Sequence, residues 1–325
     1  VTTLTFAVTD TDRSRPLIDG TVRPEGFTLA PIVLPPSEIF PRAAKDAPFE
    51  VCEFSASTHA IQVARGEANY VAIPVFLSRA FRLNAIYVRT DRGIDGPKDL
   101  EGRCVGVPEY QMTLAVWLRG ILADHFGVDL STMRTRTGGI DTPGRVERIA
   151  LALPPEIDCA PIPEGATLSA MLADGSLDAV MSPRPPQCFR DGHPDVRRLF
   201  PRPALEEERY YGATGMFPIM HLVGIRRDVA ARHPNLAPAL FAAFEAARRT
   251  AHAALAAMVA SPVLPLSLPF LSDHLDETRR IMGRDFWPYG FERNAAELQA
   301  LCRYLLEQHL IPRPITAEEL FVDTL

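Results

Sequence analysis

The chain has 325 residues, 47% of them hydrophobic and 23% charged, with a formal net charge of −6; that is enough for two ordinary domains, each with its own core. The mildly acidic balance argues against nucleic acid or an anionic membrane surface as the main partner, so basic residues that meet an anionic ligand must act locally. The longest apolar run, 251–271, is interrupted by Ser261, Pro262, Pro265 and Pro269, well short of the ~20 uninterrupted residues of a membrane span.

In chain order, the first ninety residues alternate strand and helix patterns: strand 4–8, helix 13–19, strand 28–34, helix 37–44, strand 50–54, helix 57–65 and strand 70–75. This βαβα alternation predicts a mostly parallel sheet covered on both faces, with ligands at the carboxyl ends of the strands. Those ends are the segments 9–13, 53–59 and 74–79. A strand 84–89 then leads into the polar, glycine-containing segment 91–100, which reads as a domain crossing.

A second α/β unit follows, with strand 105–107, helix 111–126, strand 133–137, helix 167–173 ending at Gly175, and strand 178–182. The apolar run 216–225 reads as a long buried strand returning to the first domain. Helices 236–259 and 294–309 close the chain, the latter with Leu298, Leu301 and Leu305 on one face. Two crossings, one near Asn84 and one near Ile219, predict a discontinuous first domain, 1–88 plus 219–325, and a second domain, 89–218. Two domains hinged this way close around a ligand.

One junction already suggests the kind of ligand. Between Arg103 and Thr113 a short strand stops at Pro108 and turns into a helix, whose first turn offers unpaired N–H groups and the positive end of the macrodipole. Facing a cleft, it would hold a carboxylate or phosphate. Five cysteines without a C-x-x-C pair fit a reducing compartment better than a disulfide framework. The first strand begins with no basic-then-apolar leader ahead of it, so either no export signal was made or it has been removed. The location expected from this is the cytoplasm.

Several segments together resemble the 4,5-dihydroxyphthalate decarboxylase family: Val71-Ala72-Ile73-Pro74-Val75-Phe76, Ser78-Arg79-Ala80-Phe81-Arg82, Ile86-Tyr87-Val88-Arg89-Thr90-Asp91-Arg92-Gly93-Ile94, the junction at 105–111, 217–225, Trp287-Pro288-Tyr289-Gly290, and the closing Glu318-Glu319-Leu320-Phe321. The resemblance implies a two-domain α/β fold like that of type II periplasmic binding proteins. It also implies loss of one carboxylate of 4,5-dihydroxyphthalate as carbon dioxide, leaving protocatechuate. The rival reading is a solute-binding protein that delivers a small aromatic carboxylate to an ABC transporter without reacting it.

Such a decarboxylation avoids an aryl anion by protonating the ring carbon that bears the carboxylate, with a para hydroxyl supplying electrons. The site then needs groups to hold the spectator carboxylate, an acceptor for the phenolic proton, and a general acid. Arg79, after a strand end, and Arg184, in Ser182-Pro183-Arg184-Pro185-Pro186, are candidate carboxylate clamps; an interdomain ion pair and a solvated loop residue are their alternatives. His221, alone in an apolar strand, is the first candidate for proton transfer, against a role in the core. His59 is the second, against an ordinary first-turn position. Glu109, ionised at a helix start, would accept from the phenol or simply favour the helix.

Ser55, Ser57, Ser78, Gln111 and Thr113 are candidate polar contacts to substrate, and Tyr289 and Trp287 candidate walls for an aromatic ring. No cofactor is implied: there is no P-loop, no G-x-G-x-x-G and no H-x-x-x-H. A divalent metal held by distant residues such as His59, His221 and Glu109 or Asp10 is left open, as is self-association into a homo-oligomer.

Overall fold

The computed structural model describes residues 2–263 and 265–322. Within them the strands are β1 (Thr2–Val8), β2 (Phe27–Val33), β3 (Val51–Ser55), β4 (Tyr70–Arg79), β5 (Ile86–Arg89), β6 (Cys104–Val107), β7 (Arg134–Thr137), β8 (Cys159–Pro161), β9 (Ala179–Met181), β10 (Val196–Arg198) and β11 (Ile219–Arg226). They form two sheets. One has the order β2-β1-β3-β11-β4 and the other β10-β5-β9-β6-β7-β8. In the first, β1 pairs in parallel with β2 and β3, while β11 inserts antiparallel between β3 and β4. The core strands β3 and β11 are almost continuously buried because both faces are covered.

β5 belongs to the second sheet, paired antiparallel with β9 and β10. The outward crossing is therefore the segment 80–85, earlier than the expected boundary at residue 88, and 91–100 lies within the second unit. The chain re-enters the first sheet at Ile219. Short strands at 159–161 and 196–198 and the helices Pro203–Thr214 and Leu271–Met282 are absent from the sequence reading. Three-residue strands are too brief to display a period of two, and only one residue of Leu271–Met282, Leu275, is buried.

β4 is an edge strand carrying Pro74 in its interior, where a missing N–H would break a central ladder. Its pairing with β11 slips between Ile73 opposite Val223 and Ser78 opposite His221, so the stretch 74–77 bulges away from its neighbour. The carbonyls this frees are taken up from elsewhere, as buried carbonyls must be. Gly290 N–H donates to Pro74 O at 2.9 Å, Trp287 Nε1 to Phe76 O at 2.8 Å, and Arg13 Nη2 to Leu77 O at 3.1 Å. Trp287-Pro288-Tyr289-Gly290 is thus a plug for the bulge.

The helix Thr113–Asp124 follows β6, but it is fastened to the opposite half of the molecule. Trp117 Nε1 donates to Ile219 O at 2.9 Å, Arg119 Nε to Gln308 Oε1 at 2.8 Å, and Gln308 Nε2 to Val116 O at 2.9 Å. Gly120 lies against the ring of Tyr304 on the helix Ala295–Glu307. One continuous apolar core runs from Phe6 and Phe54 through Trp117 to Val105 and Met181.

Candidate active site

A cavity of about 670 Å³ opens between the two sheets at the carboxyl ends of the first sheet's parallel strands. Phe40, Ser55, Met220 and His221 line it from one side; Thr113, Leu114, Gly139, Arg145 and Arg148 do so from the other. Its lining includes the arginines Arg82, Arg145, Arg148 and Arg184 and no aspartate or glutamate. In a chain of net charge −6 this is a local concentration of positive charge, built for an anion.

His221 stands directly across the β3/β11 pair from Ser55. Glu53, two residues back on the same face of β3, is its diagonal neighbour. The His221 Nδ1–H donates to Glu53 Oε1 at 2.6 Å, and Glu53 Oε2 accepts from the Thr9 N–H at 2.9 Å. Burial pushes the Glu53 carboxyl up, but its bond to His221, the charge there and the Thr9 bonds outweigh this and hold it below the usual carboxylate range. The ionised carboxylate fixes the proton on Nδ1 and leaves Nε2 for the cavity. The imidazole and the Phe40 ring pack edge to face, centroids 4.7 Å apart.

At the floor, two helix starts converge. Ser55 caps the helix Ala56–Arg65, and the helix Thr113–Asp124 begins with no side-chain cap of its own. Thr113 Oγ1 lies 3.0 Å from Ser55 Oγ and 2.8 Å from Ser57 Oγ, and Ser57 Oγ donates to Gln111 O at 2.7 Å. This hydroxyl cluster ties the junction at 105–113 to the first sheet. Ser57 has spent its proton on a carbonyl, and Ser55 and Thr113 border the cavity.

Glu109 does not line the cavity; it is 2% exposed and lies beneath two arginines. Its Oε1 accepts from Arg145 Nε at 3.0 Å and Nη2 at 2.5 Å, and from Arg148 Nη2 at 3.1 Å. Its Oε2 is buried without a partner, and because Glu109 lies outside the cavity lining it does not meet a phenol there, which corrects that expectation. Gln111, turned so that its amide oxygen accepts from the backbone N–H groups of Arg148 and Ile149 at 3.1 and 2.8 Å, anchors the same loop rather than substrate.

Four further candidates lie elsewhere. Arg79 is buried and donates to Phe217 O and Pro288 O at 2.9 Å each and to Asn294 Oδ1, with Glu297 3.6 Å away; it braces the return crossing and cannot clamp a ligand. His59 is fully buried with Nε2 against Leu320 O at 2.8 Å, and desolvation pushes its pKa down to about 4, so it is no proton donor to this cavity. Tyr289 is buried in the bulge plug, and burial pushes its phenol up. Ser78, opposite His221 in the ladder, is half-buried and outside the cavity lining. Arg184 does line the cavity, 3.9 Å from Asp141. His221, His59 and Glu109 each have separate partners, and among the described residues no group of three metal-binding side chains is gathered.

Glu53, Arg145 and Arg148 escaped the sequence reading. A single carboxylate in the apolar strand Val51-Cys52-Glu53-Phe54 is the counterpart of the single histidine in β11, and that pairing of oddities was the available signal. Arg145 and Arg148 sit in the aperiodic stretch 138–158, which carries no signal beyond its charge.

Compared with known proteins, the chain is 43% identical over 321 residues to the 4,5-dihydroxyphthalate decarboxylase of Comamonas testosteroni, covering 98% of this chain and 96% of that one. It is 44% identical over 210 residues to the enzyme of the same name from Pseudomonas putida, covering 65% and 81%. No protein-family model matches. Among solved structures, the periplasmic aliphatic sulphonate binding protein of Escherichia coli superposes with a TM-score of 0.54 at 15% identity, covering 99% of this chain and 97% of that one. The fold is accordingly that of a two-domain type II periplasmic binding protein.

Proposed function

The chain belongs to the 4,5-dihydroxyphthalate decarboxylase family, and from that premise we propose how its cavity removes one carboxylate of 4,5-dihydroxyphthalate to give protocatechuate and carbon dioxide. The observation that carries the proposal is the Glu53–His221 pair, 2.6 Å apart, at the edge of an arginine-lined cavity. A solute-binding protein needs the arginines but gains nothing from a histidine whose tautomer is fixed from behind.

The protonated His221 gives its Nε2 proton to the ring carbon bearing the scissile carboxylate, while the para hydroxyl, keeping its own proton, supplies electron density to the ring. The C–C bond to the carboxylate then breaks, its electron pair returns to the ring, and aromaticity is restored as carbon dioxide leaves. One proton is consumed in the net reaction, and solvent returns it to His221. Glu53 stabilises the imidazolium before transfer and orients it throughout. Phe40 and Met220 line the cavity beside His221 and give that end an apolar surface, which suits a group that must shed its charge. The odd count of five cysteines supports a cytoplasmic location, which fractionation would test.

The deciding experiment is incubation of the protein with 4,5-dihydroxyphthalate, following carbon dioxide and protocatechuate with and without chelator. Stoichiometric release of both is expected. Tight binding without turnover would instead favour the solute-binding reading.

A further inference from the structure

We propose that Arg145 and Arg148 form the clamp for the carboxylate that the substrate keeps, and that Glu109 is a positioning residue holding the two guanidinium groups together. The inference rests on the decarboxylase reading and assigns the two carboxylates of the substrate to different parts of the cavity.

Two arginines three residues apart repel each other unless something between them carries the opposite charge. Glu109 does so from below, with one oxygen accepting from both, at 2.5 and 3.0 Å from Arg145 and 3.1 Å from Arg148. Arg148 is further fixed by Nη1 donating to Thr58 Oγ1 at 2.9 Å, and Thr58 Oγ1 in turn donates to Ser55 Oγ at 3.1 Å. Its guanidinium carbon lies 5.4 Å from the centre of the Phe40 ring.

The pair is not saturated. The Arg148 side chain is 6% exposed, yet its Nε has no partner. Arg145, 32% exposed, has only Nε and Nη2 engaged with Glu109. Glu109 is the carboxylate in direct contact with the pair, Glu147 adds a weaker negative field at Arg148 while its Oε1 accepts from the Tyr110 N–H, and N–H groups of Arg145 and Arg148 are left over for a carboxylate. The scissile carboxylate has to lie within reach of His221 against the apolar wall, so this charged wall falls to its ortho neighbour.

The product provides the test, because protocatechuate carries only the retained carboxylate. In Arg148→Met and Arg145→Met, KM for 4,5-dihydroxyphthalate and Kd for protocatechuate are expected to rise together by roughly tenfold or more, while binding of catechol, which has no carboxylate, stays put. Glu109→Gln should raise the same two constants with a smaller change in kcat, and Glu109→Asp should fall between. A rise in substrate KM with product Kd unchanged would place the arginines on the leaving carboxylate and overturn the proposal. So would a Glu109→Gln variant that loses kcat alone. Should the buried changes prevent folding, Arg145→Lys at the more exposed position reads the same pair of constants. If the wild type binds protocatechuate through these arginines but never turns over the dicarboxylate, the clamp stands and the decarboxylase reading fails.

Discussion

His221 can deliver a proton on demand only if its tautomer is settled beforehand, and Glu53 settles it. Replacing His221 with Ala is expected to lower kcat by ~10²–10⁴-fold, and Glu53→Gln by at least roughly tenfold with little change in KM; steady-state rates on folded variants decide, and a near-normal rate in either removes that residue from proton transfer. His59 makes the opposite case. Its folded pKa of about 4 lies below the ordinary 6.5, so the unfolded chain binds that proton first as pH falls. The stability it contributes is complete above pH 6.5 and declines between 6.5 and 4, by up to about 3 kcal/mol. Urea unfolding at pH 7.5 and pH 5 should show this slope in the wild type and a flatter one in His59→Gln; equal slopes would reject it. His221 stands in an apolar strand and His59 follows a polar helix start, and neither setting tells which of the two meets the cavity. What separates them is a long-range fact, a carboxylate for one and a backbone carbonyl for the other. Arg79 and Arg148 are confused for the same reason, since an arginine's use depends on how many of its N–H groups the fold has already taken.

At the scale of elements, the strand periods and apolar runs made the first sheet, the strands β5, β6, β7 and β9 of the second and the helices Leu236–Ala260 and Ala295–Glu307 legible, because each buries a continuous apolar stretch. The bulge in β4 was hidden: Pro74 announces an interrupted ladder, but only the fold shows that Trp287 and Gly290, more than two hundred residues on, repair it. That is why a Trp-Pro-Tyr-Gly motif resembling a binding wall is structural. The helix Thr113–Asp124 depends on close contact with Ala295–Glu307, where a Cβ on Gly120 would overlap the Tyr304 ring while Tyr304 Oη donates to Asp124 Oδ2 at 2.8 Å. Gly120→Ala should therefore destabilise the protein by about 1–3 kcal/mol through overpacking, seen as a melting temperature lowered by several degrees. An unchanged midpoint would mean that the two helices part easily. Gly139 is constrained in another way, since a Cβ there would run into the carbonyl of Thr142 in the loop that delivers Arg145.

For the molecule as a whole, the two-unit plan was legible in the sequence, but not that the helix after β6 is bolted to the other half. The two halves are also joined at the cavity floor, through Ser55, Ser57 and Thr113. An arginine-walled cavity in an acidic chain also predicts that KM for the dicarboxylate rises with ionic strength while kcat hardly moves, as screening weakens a local attraction; kinetics from 20 to 500 mM salt would show it, and a flat KM would contradict it. The same wall has a directional consequence. Each turnover converts a doubly charged guest into a singly charged one and a neutral gas, so the cavity's grip slackens as a direct result of the chemistry. The wall still holds the carboxylate that remains, so the product departs more readily than the substrate only by the attraction its lost charge supplied, and this difference is made without any moving part.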